Sequence, residues 1–196
     1  MHRRIPRFTR THLLLAASLM LAAAVPANAA IIHYHCTLSG PAEAPPNASP
    51  GVGGAEVTID NVANTMRVQA TFLGLLGNTT ACHIHAPTAA AGTGTAGVAT
   101  MTPAFTGFPL GVTAGSMDHT FDLTLLATYN GPYVTANGGT AASAEAALLA
   151  AIAAGKAYFN IHTTQVPGGE IRGFLQPFDP VPTVQSTWGR VKALYH

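Results

Sequence analysis

An all-β fold is what this sequence predicts: an antiparallel, Greek-key-like β-sandwich of about eight strands with one short connecting helix. Three observations carry that expectation. In Tyr158–His162 and again in Glu170–Leu175, residues for two opposite faces alternate, and Pro167-Gly168-Gly169 separates the two runs. Two period-2 runs about a Pro-Gly-Gly turn read as an antiparallel strand pair. Gly (20) and Pro (14) are abundant while charged residues are 9% of the chain, a mix that suits short strands and turns. Only Ala141–Gly155 has clear helical spacing with a start and a stop. Ser143 reads as its N-cap and Glu145 lies in its first turn. Leu148, Leu149 and Ile152 share a face, and Gly155 follows the end.

The chain opens with Arg3, Arg4, Arg7 and Arg10, then an apolar run from Leu13 to Val25, then Ala27-Asn28-Ala29. That is the order of a secretory signal, expected over residues 1–29, with cleavage after Ala29 or Ala30. The run is shorter than the ~20 residues a spanning helix needs, so no membrane span is expected after cleavage. The protein is expected to be secreted or periplasmic. A single sandwich domain is then expected over residues 31–177, followed by a disordered tail over 178–196.

The first strand is Ile31–Ser39, with Ile32, Tyr34, Cys36 and Leu38 on one face. Gly40–Gly54 carries Pro41, Pro45, Pro46 and Pro50 and is a surface loop. Ala55–Asp60 and Met66–Leu73 are strands joined by an Asn-bracketed turn at Asn61–Asn64. Ala81–Ala86 is a histidine strand: Cys82 and Ile84 point one way, Ala81, His83 and His85 the other. Val98–Met101 is a short strand between Gly-rich and Pro-rich loops. Met117–Leu125 alternates, with His119 on its apolar side.

Without the leader, Arg67, Lys156, Arg172, Arg190 and Lys192 face eight acids, a net charge near −3. No basic patch suggests nucleic-acid binding. Export makes a Cys36–Cys82 disulfide the first expectation for the two cysteines. Two buried free thiols, or Cys82 as a metal ligand beside His83, are the alternatives.

These residues resemble the CHRD domain, named from chordin and also found in exported bacterial proteins. The likeness runs through Leu38-Ser39-Gly40, Glu43 and Pro45-Pro46. It continues with Cys82-His83-Ile84-His85-Ala86-Pro87 and Gly97-Val98. It is strongest in Ala157-Tyr158-Phe159-Asn160-Ile161-His162-Thr163 with Gly168-Gly169-Glu170-Ile171-Arg172-Gly173. The resemblance implies a β-sandwich and leaves the biochemical role open. More distantly the pattern is similar to copper/zinc superoxide dismutases, which bind copper through a His-x-His strand and a later strand His, with an Arg nearby. That likeness maps onto His83, His85, His162 and Arg172. It departs at the zinc site, since Thr88–Gly97 offers no His or Asp, and at the disulfide, since Cys36 lies on the first strand. In the tail, Asp179-Pro180-Val181-Pro182 and Ser186-Thr187-Trp188 resemble the start of a PEP-CTERM sorting signal without its apolar helix and Arg cluster.

His83 and His85, two apart on a strand, point the same way, and His162 lies on the polar face of its own strand. Three imidazoles converging there would suit copper or zinc. His33 and His35 would lie on the same outer side and extend the site. The competing expectation is that the histidines hydrogen-bond loops and that Glu170 pairs with Arg172. His119 and His196 read as structural or incidental. No Gly-x-Ser-x-Gly or phosphate loop is present. Two functions therefore stand. The first is an exported module that binds an unknown extracellular protein or matrix component. The alternative is a mononuclear copper protein with a superoxide-dismutase-like site. Copper is its expected cofactor, and Arg172 would be catalytic only there.

Overall fold

The computed structural model describes residues 31–178. The expected leader and the tail from residue 179 onward lie outside them. The strands are β1 (Ile31–Ser39), β2 (Val52–Asp60), β3 (Thr65–Leu73), β4 (Thr79–His85), β5 (Gly115–Asp122), β6 (Tyr158–Thr163), β7 (Ile171–Phe174) and β8 (Gln176–Pro177). Two helices, α1 (Gly131–Ala136) and α2 (Ala141–Ala153), lie between β5 and β6. Among the described residues, no helix is long and apolar enough to cross a membrane.

All eight strands join one antiparallel sheet in the order β4-β6-β7-β1-β2-β3-β5, with β8 also paired to β1. The sheet curls, so that both ends contribute to a single core. Phe105 shows this: its ring lies 5.1 Å from Phe121 of β5 and 5.9 Å from Phe159 of β6. This is the all-β sandwich class that the alternation predicts. Leu38, Val57, Val68, Ile84, Phe159, Ile161 and Ile171 are fully buried on its inner face. Each such side chain contributes about 1.5–3 kcal/mol of burial free energy. The β2–β3 hairpin closes as its asparagines suggest. Asn64 takes φ 50°, and the Asp60 carboxylate accepts the amides of Val62 and Ala63.

The details differ from the expectation in four places. Val98–Met101 is not a strand. Val98 and Thr100 make only isolated bridges, to His85 and Tyr129, and β8 completes the eight. A second helix, α1, has Pro132 in its first turn; six residues are too few to show a helical period. The N-cap of α2 is Thr140 rather than Ser143. Thr140 Oγ1 accepts the Ser143 amide at 3.1 Å, and Ser143 Oγ accepts the Thr140 amide at 3.2 Å. A serine three residues past a threonine reads equally well as cap or as the third helical residue. Thr140→Ala should lower stability by about 1 kcal/mol, seen as a shifted urea midpoint at unchanged slope. Gly155 ends the helix as expected, at φ 65°.

The fourth difference is the disulfide. Cys36 and Cys82 are free, buried thiols. Both face the core on strands that do not pair with each other, near enough for Cys36 to act electrostatically on Cys82 but with no bond between them. Burial pushes the Cys36 thiol up to about 12 and Cys82 well above its ordinary value. Both are therefore protonated, unreactive core residues.

Candidate metal centre

Alternation along β4 and β6 sorts the side chains. Cys82, Ile84, Phe159 and Ile161 enter the core, while His83, His85, Tyr158, Asn160 and His162 take the opposite face. The register sets Ala81 opposite His162, His83 opposite Asn160 and His85 opposite Tyr158. His162 is thus diagonal to His83, close enough for the rings to meet. The ring centroids lie 4.7 Å apart for His83–His85, 4.7 Å for His83–His162 and 5.8 Å for His85–His162.

This face was expected to look outward. Loops instead cover it, and His83, His85 and His162 are at most 9% exposed. The same loops fix each ring. Nδ1 of His83 donates to the Pro103 carbonyl (3.1 Å), Nδ1 of His85 to Ala96 (2.8 Å) and Nδ1 of His162 to Pro167 (2.9 Å). A carbonyl only accepts, so each Nδ1 carries the proton and each Nε2 a bare lone pair. All three Nε2 atoms are buried and lack a hydrogen-bond partner. One ligating nitrogen from each residue lies within 4.8 Å of the other two. A triangle of that size has a centre within about 2.8 Å of each corner, near the 2.0–2.1 Å of a metal–imidazole bond. Burying an unpaired acceptor costs about 1–3 kcal/mol, and here three converge. Backbone carbonyls holding Nδ1–H while Nε2 stays free is also how metal-binding imidazoles are oriented.

The protonation states agree. Burial, then the neighbouring rings of His85 and His162, bring His83 down to about 3 against the opposing pull of the Pro103 carbonyl. His85 falls to about 4, chiefly through burial; the bond to Ala96 opposes this, and His162 and Arg172 add to it. Burial also lowers His162. The donor set suits copper or zinc: three neutral imidazoles whose orphaned nitrogens face one another.

Arg172 is not in this triangle. It is 4% exposed, and it donates from Nε to the Ala42 carbonyl (2.6 Å) and from Nη1 to Gly94 (3.0 Å). Its guanidinium carbon sits 4.7 Å over the Tyr158 ring, which stacks on His85 at 4.7 Å and 6°. Since β6 lies between β4 and β7, Tyr158 stands between the cation and the histidine. The carboxylate beside Arg172 is Glu43 (3.7 Å), not Glu170. Burial raises Glu43 to about 7, against the opposing effects of Arg172 and the Ala44 amide. Glu43 could not be assigned from local pattern, because it meets Arg172 only when the loop after β1 folds over β7.

Glu170 precedes β7 and turns away from Arg172 into a knot of hydrogen bonds with Ser49, Thr163 and the amides of Leu76 and Gly77. Gly169, at φ 128°, is required between them. A Cβ there would sit 2.6 Å from Asn160 Nδ2 and 2.8 Å from Glu43 Oε1. His33 and His35 do not extend the site. They pack on Phe178, with ring centroids 5.8 and 4.9 Å away, so Phe178 belongs to the folded domain rather than to the tail. His119 is exposed beside Phe121. Cys82 faces the core and is excluded as a ligand.

The residues that build this centre are those of the motifs quoted from the sequence. No curated protein and no solved structure gives a match to the chain. The family model of the CHRD domain does match, over residues 34–175, from β1 to the end of the β7 segment. With the curled all-β sheet and both histidine strands inside that span, the chain belongs to the CHRD domain family.

Proposed function

We propose that this CHRD domain binds one metal ion, with copper the first candidate, through Nε2 of His83, His85 and His162. The observation that supports this reading is the convergence of three buried imidazole nitrogens that have no protein partner. The sheet register and three loop carbonyls supply the orientation, and burial keeps the rings neutral, so protons compete little for the lone pairs near neutral pH. Copper held there would supply one-electron redox chemistry. Arg172 braces the far side of Tyr158 and has its Nε and Nη1 engaged by carbonyls, which favours a positioning role over anion capture. The leader-like first residues make the periplasm or the outside of the cell the proposed location.

Elemental analysis of the full chain, purified without chelators and then reconstituted, tests the proposal. Wild type should carry about one equivalent of metal, and His83→Ala should carry at least tenfold less. Equal contents in the two proteins, with circular dichroism showing both folded, would leave the role of a module for an extracellular protein or matrix component.

A further inference from the structure

The charges around the three histidines bear on which oxidation state the centre holds. All three donors are neutral, and the cluster contains no Asp, Glu or Cys. The fixed charge that acts on His85 is a cation: Arg172, buried and aligned in the stack Arg172–Tyr158–His85. Its one carboxylate neighbour, Glu43, lies 3.7 Å from the guanidinium, a loose pair rather than a close one. A metal ion there adds its whole charge to a buried site with no anionic ligand and with a cation behind Tyr158. A divalent ion brings twice the uncompensated charge of a monovalent one, and desolvated charge without a counter-ion is costly. Three ligands and a covered site also suit an ion content with low coordination, whereas divalent ions usually recruit further oxygen ligands or water.

From this we infer that the centre is selective for monovalent copper, and that Arg172 and Glu43 set that selectivity from opposite directions. The inference rests on the metal-binding reading above and narrows it from a metal to a charge state. Arg172 acts here as a positioning and electrostatic residue through Tyr158, not as a ligand. Removing its charge should favour divalent ions; removing the Glu43 carboxylate should disfavour them further.

The experiment is a set of competition titrations on the full chain at about pH 8, above the value of about 7 to which burial raises Glu43, so that its carboxylate is charged. Cu(I) is titrated anaerobically against a colorimetric Cu(I) chelator, and Cu(II) and Zn(II) against a fluorescent divalent chelator. Cu(I) should bind at least a hundredfold more tightly than Zn(II), and the copper-loaded protein should stay colourless and silent in electron paramagnetic resonance. Arg172→Gln should shrink the Cu(I)/Zn(II) preference by about tenfold or more, the scale of one charge acting across a partly screened interior. Glu43→Gln should enlarge the preference, and it carries the test if Arg172→Gln does not fold. Zn(II) or Cu(II) held as tightly as Cu(I), or no change of the ratio in either variant, would overturn the inference while leaving a metal centre in place. Failure to hold any of the three ions overturns the metal reading itself.

Discussion

Metal-free protein should lose stability steeply as the pH falls below 6.5. His83 and His85 titrate near 3 and 4 in the folded chain because burial and neighbouring rings resist their charging, and His162 is lowered too. In the unfolded chain each returns to about 6.5. Between those values the unfolded state holds more protons, so stability rises with pH. The full contribution is therefore present above pH 6.5 and is lost progressively toward pH 4. Glu43 opposes this. Its folded value of about 7 lies above the unfolded 4.5, so it favours the folded state as the pH falls from 7 to 4.5. His83 and His85 against one carboxyl leave a net uptake of about one proton on unfolding, on the order of 1–2 kcal/mol per pH unit at the steepest point, and the lowered His162 adds to it in the same direction. Between pH 6.5 and 4.5 that slope removes a substantial share of the roughly 5–15 kcal/mol that stabilises a domain. Urea midpoints at pH 7.5, 6.5, 5.5 and 4.5 measure it. His83→Gln should flatten the curve by roughly one proton whatever its effect at pH 7.5, and a midpoint unchanged down to pH 4.5 would refute the buried neutral triad. Bound metal should hold the wild-type curve up until protons displace it.

That the histidines point one way was legible because strand parity is a local property. His83 and His85 share a face whatever the rest of the chain does, and Phe159 and Ile161 fix the parity of His162. Burial of that face was not legible. It depends on the covering loops, whose Pro103, Ala96, Ala42 and Gly94 carbonyls carry no side-chain signature. The same limit explains Glu170 and Arg172. Two residues apart, they read as one face of a strand, but β7 begins only at Ile171, and Glu170 still belongs to the turn. Cys36 and Cys82 were rightly expected inside. The step from shared burial to a bond required a neighbour relation that strand order, fixed by long-range pairing, does not supply.

Glu170 is the residue whose loss should unfold the domain most directly. It is fully buried, and its carboxylate accepts four hydrogen bonds. Oε1 takes Ser49 Oγ and the Leu76 amide, each at 2.6 Å; Oε2 takes Thr163 Oγ1 at 2.5 Å and the Gly77 amide at 3.2 Å. Burial works to raise its carboxyl, but these four donors prevail and hold it below the usual carboxylate range. The charge is thus satisfied without a cation, by donors from three separate stretches: the loop after β1, the β3–β4 connection and the end of β6. The backbone around it is tied in as well, since its amide donates to Ile161 and its carbonyl accepts from Asn47. Glu170→Ala should cost about 3–5 kcal/mol, because four donors, three of them in buried hydrogen bonds, would lose their acceptor. Glu170→Gln keeps the shape but turns an NH2 toward groups that can only donate or must reorient, and should cost about 2 kcal/mol or more. Urea unfolding of both variants decides this, with Glu56→Gln, at a half-buried contact between β2 and His33 of β1, as a control expected to change stability by less than about 1 kcal/mol. The knot also lies one residue from Gly169 and three from Pro167, whose carbonyl holds His162, so Glu170→Gln should loosen the turn that aims one of the three nitrogens. A Glu170→Gln protein that is fully stable at 25 °C would show that the loops are held in place by their apolar packing alone.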